Sequence, residues 1–182
     1  MTEQRVSLRY AKAVYETALA AGTLDTVYND FIAIGKVLNQ SQLLRTMLKS
    51  PVIKTWKKKN VFKELFSNMI SELSFNFIQL IADKEREFLL KDIIASFDKL
   101  YLAKMNIIKA DIVTSREVDE TLRTKILTEL SRRLEKTVIP TFKVDESIIG
   151  GIMIRVEDWV YDASVQNQLA KLRNQLIEGK LI

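Results

Sequence analysis

The chain has no cysteine and no histidine among its 182 residues. Without cysteine there is no thiol nucleophile and no disulfide framework. Without histidine the commonest general acid–base side chain is missing, and with both absent so are the usual zinc and haem ligand sets. Glycine and proline are also scarce, five and two in all, against averages of about 7% and 5%. Glycine-rich phosphate loops therefore have little raw material. No apolar run approaches the ~20 residues needed to span a bilayer. The N-terminus, Met1-Thr2-Glu3-Gln4-Arg5, lacks both an apolar core and a small-residue cleavage site, so a cytosolic product that was never exported is expected. These absences point away from an enzyme, and no cofactor or metal is expected.

What is present is a composition 47% hydrophobic and 28% charged, with a net charge of +5. The excess is uneven. Residues 1–105 hold 16 basic and 11 acidic residues, whereas residues 106–182 hold 12 of each. The first segment reads as helix throughout, with windows at 4–21, 24–39, 42–49, 54–68, 71–84 and 87–105. Gly22 suits a left-handed helix end, Ser41 suits an N-cap, and Pro51 breaks the chain before the fourth window. Short connections predict antiparallel neighbours. Near residue 106 the period changes. Ile108, Ala110 and Ile112 alternate with Lys109, Asp111 and Val113, which predicts a half-buried strand. A helix over 116–136, strands over 138–145, 150–156 and 159–162, and a last helix capped by Ser164 complete the reading. The expected fold is an all-α N-terminal six-helix bundle, residues 1–105, followed by a small α+β domain, residues 106–182.

Several constellations carry both a structural and a functional reading. On the first helix, Val6, Tyr10, Ala13, Val14, Ala18 and Ala21 form one apolar stripe, and Leu8, Ala11, Tyr15 and Leu19 form another. On the fifth, Ile70, Leu73, Phe77, Leu80 and Ile81 lie apart from Phe75, Ile78 and Ala82. Helices apolar on two sides are either central or leave one stripe for a partner helix. Two central helices are hard to fit into a domain of this size, so a groove stands level with the structural reading. Lys57-Lys58-Lys59 is either a solvated helix face or a phosphate contact. Lys84-Glu85-Arg86-Glu87 reads as solvated local ion pairs. Gly150-Gly151 reads as a tight turn or bulge rather than a nucleotide loop. No pair of acids is spaced for catalysis, and Asp83 and Glu87 read as surface charges.

Two segments carry a family resemblance. Ser7-Leu8-Arg9-Tyr10-Ala11-Lys12-Ala13-Val14-Tyr15-Glu16 is similar to the opening of F-type ATP synthase delta subunits, the family of the mitochondrial oligomycin-sensitivity-conferring protein. The stretch from Val144 to Val156, including Asp145, Gly150, Gly151 and Arg155, resembles that family's C-terminal signature, which Asp162, Ser164, Leu169 and Leu172 continue. Glu157-Asp158 departs from it, because the family usually has a glycine before the aspartate. The resemblance implies a non-catalytic stator subunit on the cytoplasmic face of a bacterial plasma membrane, reaching the membrane only through the complex. Its first domain holds the amphipathic N-terminal helix of an alpha subunit between the first and fifth helices. Its second domain meets the C-terminal end of the b-subunit stalk. The stripe assigned to this groove is Leu8, Ala11, Tyr15, Leu19, Phe75, Ile78 and Ala82, with Arg9, Lys12 and Lys84 on its rim. The alternative is an RNA-binding helical module of the transcription-antitermination type. Lys57–Lys59 and the basic first domain motivate it, but it leaves the second domain unexplained.

Overall fold

The computed structural model describes residues 3–177. The chain is mostly helical, with a four-stranded mixed sheet confined to its C-terminal part. It divides into two compact units, Met1–Lys104 and Met105–Ile182.

The first unit contains α1 (Glu3–Ala20), α2 (Leu24–Gln40), α3 (Gln42–Lys49), α4 (Thr55–Phe66), α5 (Glu72–Asp83) and α6 (Leu90–Lys104). A single 3-10 turn, Glu87–Leu89, precedes α6 where continuous helix was expected from residue 87. Gly22 ends α1 at φ +68°, a left-handed conformation that a residue without a β-carbon adopts at least cost. Ser41 caps α3 by accepting from the Leu44 amide at 3.2 Å.

The core of this unit is built on α2 and α6. Val27, Phe31, Ile34 and Leu38 fall on one face of α2 and are buried, as are Leu90, Ile93 and Phe97 of α6. Phe31 sits between Phe97 and Phe77, with ring centroids 4.7 and 5.7 Å away. Two tyrosines tie α2 to α6. The Tyr28 hydroxyl donates to Asp98 at 3.2 Å, and the Tyr101 hydroxyl donates to Asp25 at 2.8 Å. Their rings stack at 3.7 Å. Burial and then Asp98 raise the Tyr28 pKa. The hydrogen bond to Asp25 pushes that of Tyr101 up to about 12. Both hydroxyls therefore remain donors at neutral pH.

Buried Asp30 places α5. Its carboxylate accepts the Ser71 amide at 3.0 Å and the Ser71 hydroxyl. Ser71 in turn accepts from the Ser74 amide at 3.4 Å, as the N-cap of α5. The Ser71 amide is thereby satisfied from another helix, and the Ser74 amide by the cap residue's own hydroxyl.

The second unit contains β1 (Ile107–Thr114), α7 (Glu120–Leu134), β2 (Thr137–Val144), a 3-10 turn (Glu146–Ile148), β3 (Ile152–Val156), β4 (Trp159–Asp162) and α8 (Val165–Ile177). The sheet order is β2-β1-β3-β4, with β1 parallel to β2 and the other pairs antiparallel. A parallel pair needs a crossover, and α7 supplies it. α7 begins at 120 rather than 116 because Asp119 is its N-cap, accepting from the Leu122 amide at 2.7 Å. Ile108, Ala110, Ile112, Val138, Ile154 and Val156 form the covered side with Leu130.

Gly150-Gly151 lies outside β3, in the loop before it. Gly151 has φ +81°, and a β-carbon there would fall 2.3 Å from the Ala163 carbonyl oxygen. Glu157, the first residue of the two-residue hairpin loop, has φ +50°, so the position where a glycine is usual carries left-handed strain in this chain. In urea unfolding of the second unit, Gly151→Ala is expected to cost about 3 kcal/mol or more. Gly150→Ala meets only the Val165 side chain, at 3.2 Å, and is expected to cost about 1 kcal/mol. Glu157→Gly is expected to stabilise by about 0.5 kcal/mol, the strain relieved exceeding the entropy added.

Candidate docking surfaces

On α1 the core takes the seam where the two apolar stripes meet. Ser7, Ala11, Val14 and Ala18 are buried. Ala11, Ile78 and Ala82, assigned from sequence to a partner groove, have no exposed surface. Tyr15 is half-buried, its ring edge-on to Phe97 at 6.1 Å, and Phe75 packs against the same core. Leu8 and Leu19 are 41% and 45% exposed on the Tyr15 side of α1. The expected stripe is thus mainly core-facing. Hydrophobicity does not distinguish two apolar stripes, but residue size does. Ser7, Ala11 and Ala18 form a small-residue seam, and this seam takes the inner position.

The opposite flank of α1 faces α5 across an open groove of about 570 Å³. Tyr10, Ala13, Val14 and Thr17 line it from α1. Leu73, Asn76, Phe77 and Leu80 line it from α5, together with Glu72. Leu80 is 47% exposed and Ala13 is exposed. Arg9, Lys12 and Lys84, read from sequence as the rim, are exposed but do not line the groove. Its one charged lining residue is the acid Glu72.

The lysine triplet does not form a phosphate-binding face. Lys57 lies 5.5 Å over the Trp56 ring. Lys58 is buried, donating to Glu87 and, at 3.1 Å, to the Leu48 carbonyl. Lys59 pairs with Asp83 at 2.7 Å. The three side chains therefore serve three different contacts. Glu87, expected at the surface, is buried with Lys58, since the 3-10 turn before α6 turns it inward. The cationic face that motivated an RNA-binding reading is thereby dispersed. Among the described residues no cluster of acids could hold a metal ion. The buried acids Asp30 and Glu87 are engaged with Ser71 and Lys58.

The signature residues of the second unit form a latch. Asp145 accepts from the Ser147 amide at 2.9 Å and Asp162 from the Ser164 amide at 2.9 Å. Buried Ser164 accepts from the Asn167 amide at 3.2 Å, capping α8. The Val165 amide donates to the Gly150 carbonyl at 2.9 Å, joining the glycine loop to α8. Arg155 is exposed on β3, in register with Asp111. Beyond this latch the second unit exposes further apolar residues on β4 and α8; helical spacing marks the leucines of α8 in the sequence, but not the aromatics of β4. Trp159 and Tyr161 of β4 stack at 5.9 Å and are each about half exposed. α8 buries none of its described residues, leaving Leu169, Leu172 and Leu176 exposed. Alternation of bulky residues in β4 was the available signal.

Both units leave apolar surface open to solvent, as in the class of protein that packs against other chains. Residues 6–176 match the family model of the ATP synthase delta (OSCP) subunit. ATP synthase subunit delta of Chlorobaculum parvum is 33% identical over 177 residues, 97% of this chain and 98% of that protein. The subunit delta of Desulforamulus reducens is 32% identical over the same share of each. A chain in the Toxoplasma gondii mitochondrial ATP synthase hexamer has the same fold, with a TM-score of 0.76 at 23% identity, covering 97% of this chain and 98% of that one. The chain belongs to the ATP synthase delta (OSCP) subunit family. It is a non-catalytic stator subunit of that membrane-associated complex, and none of its described helices is long and apolar enough to cross a membrane.

These contacts set the response to mutation and to acid. Glu87→Gln, which leaves a buried Lys58 without its counter-charge, is expected to cost about 3–5 kcal/mol in urea unfolding. Breaking the more exposed Lys59–Asp83 pair in Lys59→Ala is expected to cost at most about 1 kcal/mol. Asp145 and Asp162 titrate below the ordinary 3.8, because each accepts hydrogen bonds from Ser147 and Ser164, respectively. Their stabilisation is full above that ordinary value and is lost as pH falls through the lower folded value. Acid unfolding of the second unit is therefore expected to flatten below pH 3.8 in the double variant Asp145→Asn/Asp162→Asn, followed by Trp159 fluorescence.

Proposed function

We propose that this chain joins the catalytic head of the ATP synthase to its peripheral stalk. The helical unit, a six-helix bundle, takes the amphipathic N-terminal helix of an alpha subunit in the groove between α1 and α5. The second unit takes the C-terminal end of the b-subunit stalk, with Trp159, Tyr161 and the leucines of α8 as its apolar surface. The joint sits at the cytoplasmic face of a bacterial plasma membrane and meets the membrane only through the complex.

The observation that carries this reading is the open groove itself. A helix of three to four turns laid into it buries on the order of 1,000 Å² in total, enough for a specific interface. The mechanism is mechanical. Apolar anchors hold the partner against rotor torque, and no bond is made or broken. The groove's flank also decides which substitutions matter. Leu80→Asp or Ala13→Asp, both at exposed positions, is expected to weaken binding of a synthetic peptide from the N-terminus of an alpha subunit by about 30-fold or more. Leu19→Asp, on the other flank of α1, is expected to change it by less than about twofold. Fluorescence anisotropy distinguishes these outcomes. The reverse pattern moves the alpha-subunit site to the Leu8–Leu19 flank. In the same chain, Trp159→Ala with Leu172→Asp is expected to abolish capture by a fragment from the C-terminal end of the b stalk without affecting the peptide.

A further inference from the structure

We infer that Glu72 makes the groove selective for a partner helix with a basic residue on the margin of its apolar face. This inference rests on the helix-docking role proposed above and specifies its partner. Nine side chains line the groove, and Glu72 alone is charged. Unlike Asp83 and Glu87, which pair with Lys59 and Lys58, Glu72 has no ion-pair partner among the described residues. Arg9 and Lys12 of α1 do not line the groove and form no ion pair with it.

An acid in the first turn of α5 suits the helix dipole. That preference is met at any angle around the helix axis. It does not explain why the acid points into the groove. A docked apolar helix excludes water there. An acid on the partner's margin then meets like charge, whereas a base gains an ion pair in a partly desolvated setting. Asn76 stands one turn beyond Glu72 and also lines the groove. Its amide oxygen offers a second acceptor on the same margin. A guanidinium, with its fork of donors, satisfies both groups, so arginine fits this position better than lysine.

The test uses the full chain and a synthetic peptide spanning the N-terminal helix of the alpha subunit, with affinity measured across a salt series. Glu72→Gln is expected to weaken binding about threefold to tenfold at low salt, and Glu72→Arg by more than about tenfold. Both losses are expected to shrink as salt rises. One basic residue of the peptide, changed to glutamine, is expected to weaken binding to the wild-type chain but not to the Glu72→Gln chain. Unchanged circular dichroism and urea midpoints establish that the variants are folded. If Leu80→Asp abolishes binding while Glu72→Arg stays within about twofold of wild type, the role of Glu72 is overturned and the groove stands. If no basic residue of the peptide couples to Glu72, the pairing is likewise overturned. If the wild-type chain does not bind the peptide at all, the groove reading falls and this inference with it.

Discussion

The groove depends on one carboxylate. Asp30, buried on α2, accepts both the amide and the hydroxyl of Ser71 and so holds the first turn of α5. Burying an acid is costly unless its oxygens are hydrogen-bonded, and here the bonds that offset that cost also anchor a helix. Phe77, further along α5, packs against Phe31, the next residue after Asp30 on α2. A polar and an apolar contact from adjacent α2 positions thus hold one end of α5. The distance from α5 to α1, and with it the width of the groove, follows from that placement.

Much of the architecture was legible because local signals agreed with one another. Gly22, Ser41 and Ser164 end or begin helices where their chemistry requires. The alternation at Ile108, Ala110 and Ile112 marks a strand with one covered side. The groove was legible only by helix. That α1 and α5 each carry two apolar stripes is plain from spacing, but the stripe left open depends on how closely neighbours approach. That depends on the small residues Ser7, Ala11 and Ala18, which a count of hydrophobic residues undervalues. Lys58 and Glu87 were misread for a different reason. Each sits in a run of charges that looks solvated, and their pairing joins positions 29 residues apart, which no local pattern reveals.

The family signature of the second unit has a physical content distinct from recognition. Gly151 must be glycine because its backbone passes against the Ala163 carbonyl. Asp145, Asp162 and Ser164 satisfy amides at the two turns flanking β3 and β4. These residues hold α8 against the glycine loop while its leucines stay outside. The apolar surface is therefore displayed by the latch, and the residues that build it are not those that a partner would touch.

The paired tyrosines of α2 and α6 bear on a subunit whose work is to resist force. Each helix contributes one ring and one carboxylate, and the two hydroxyl bonds run in opposite senses across the seam. Sliding α2 along α6 displaces both bonds and the stacked rings together. These directional contacts add to the interlocked apolar packing in opposing shear along the seam. Stiffness along a helix seam is what a static element opposing rotation requires, and here it draws on four side chains of the helical unit.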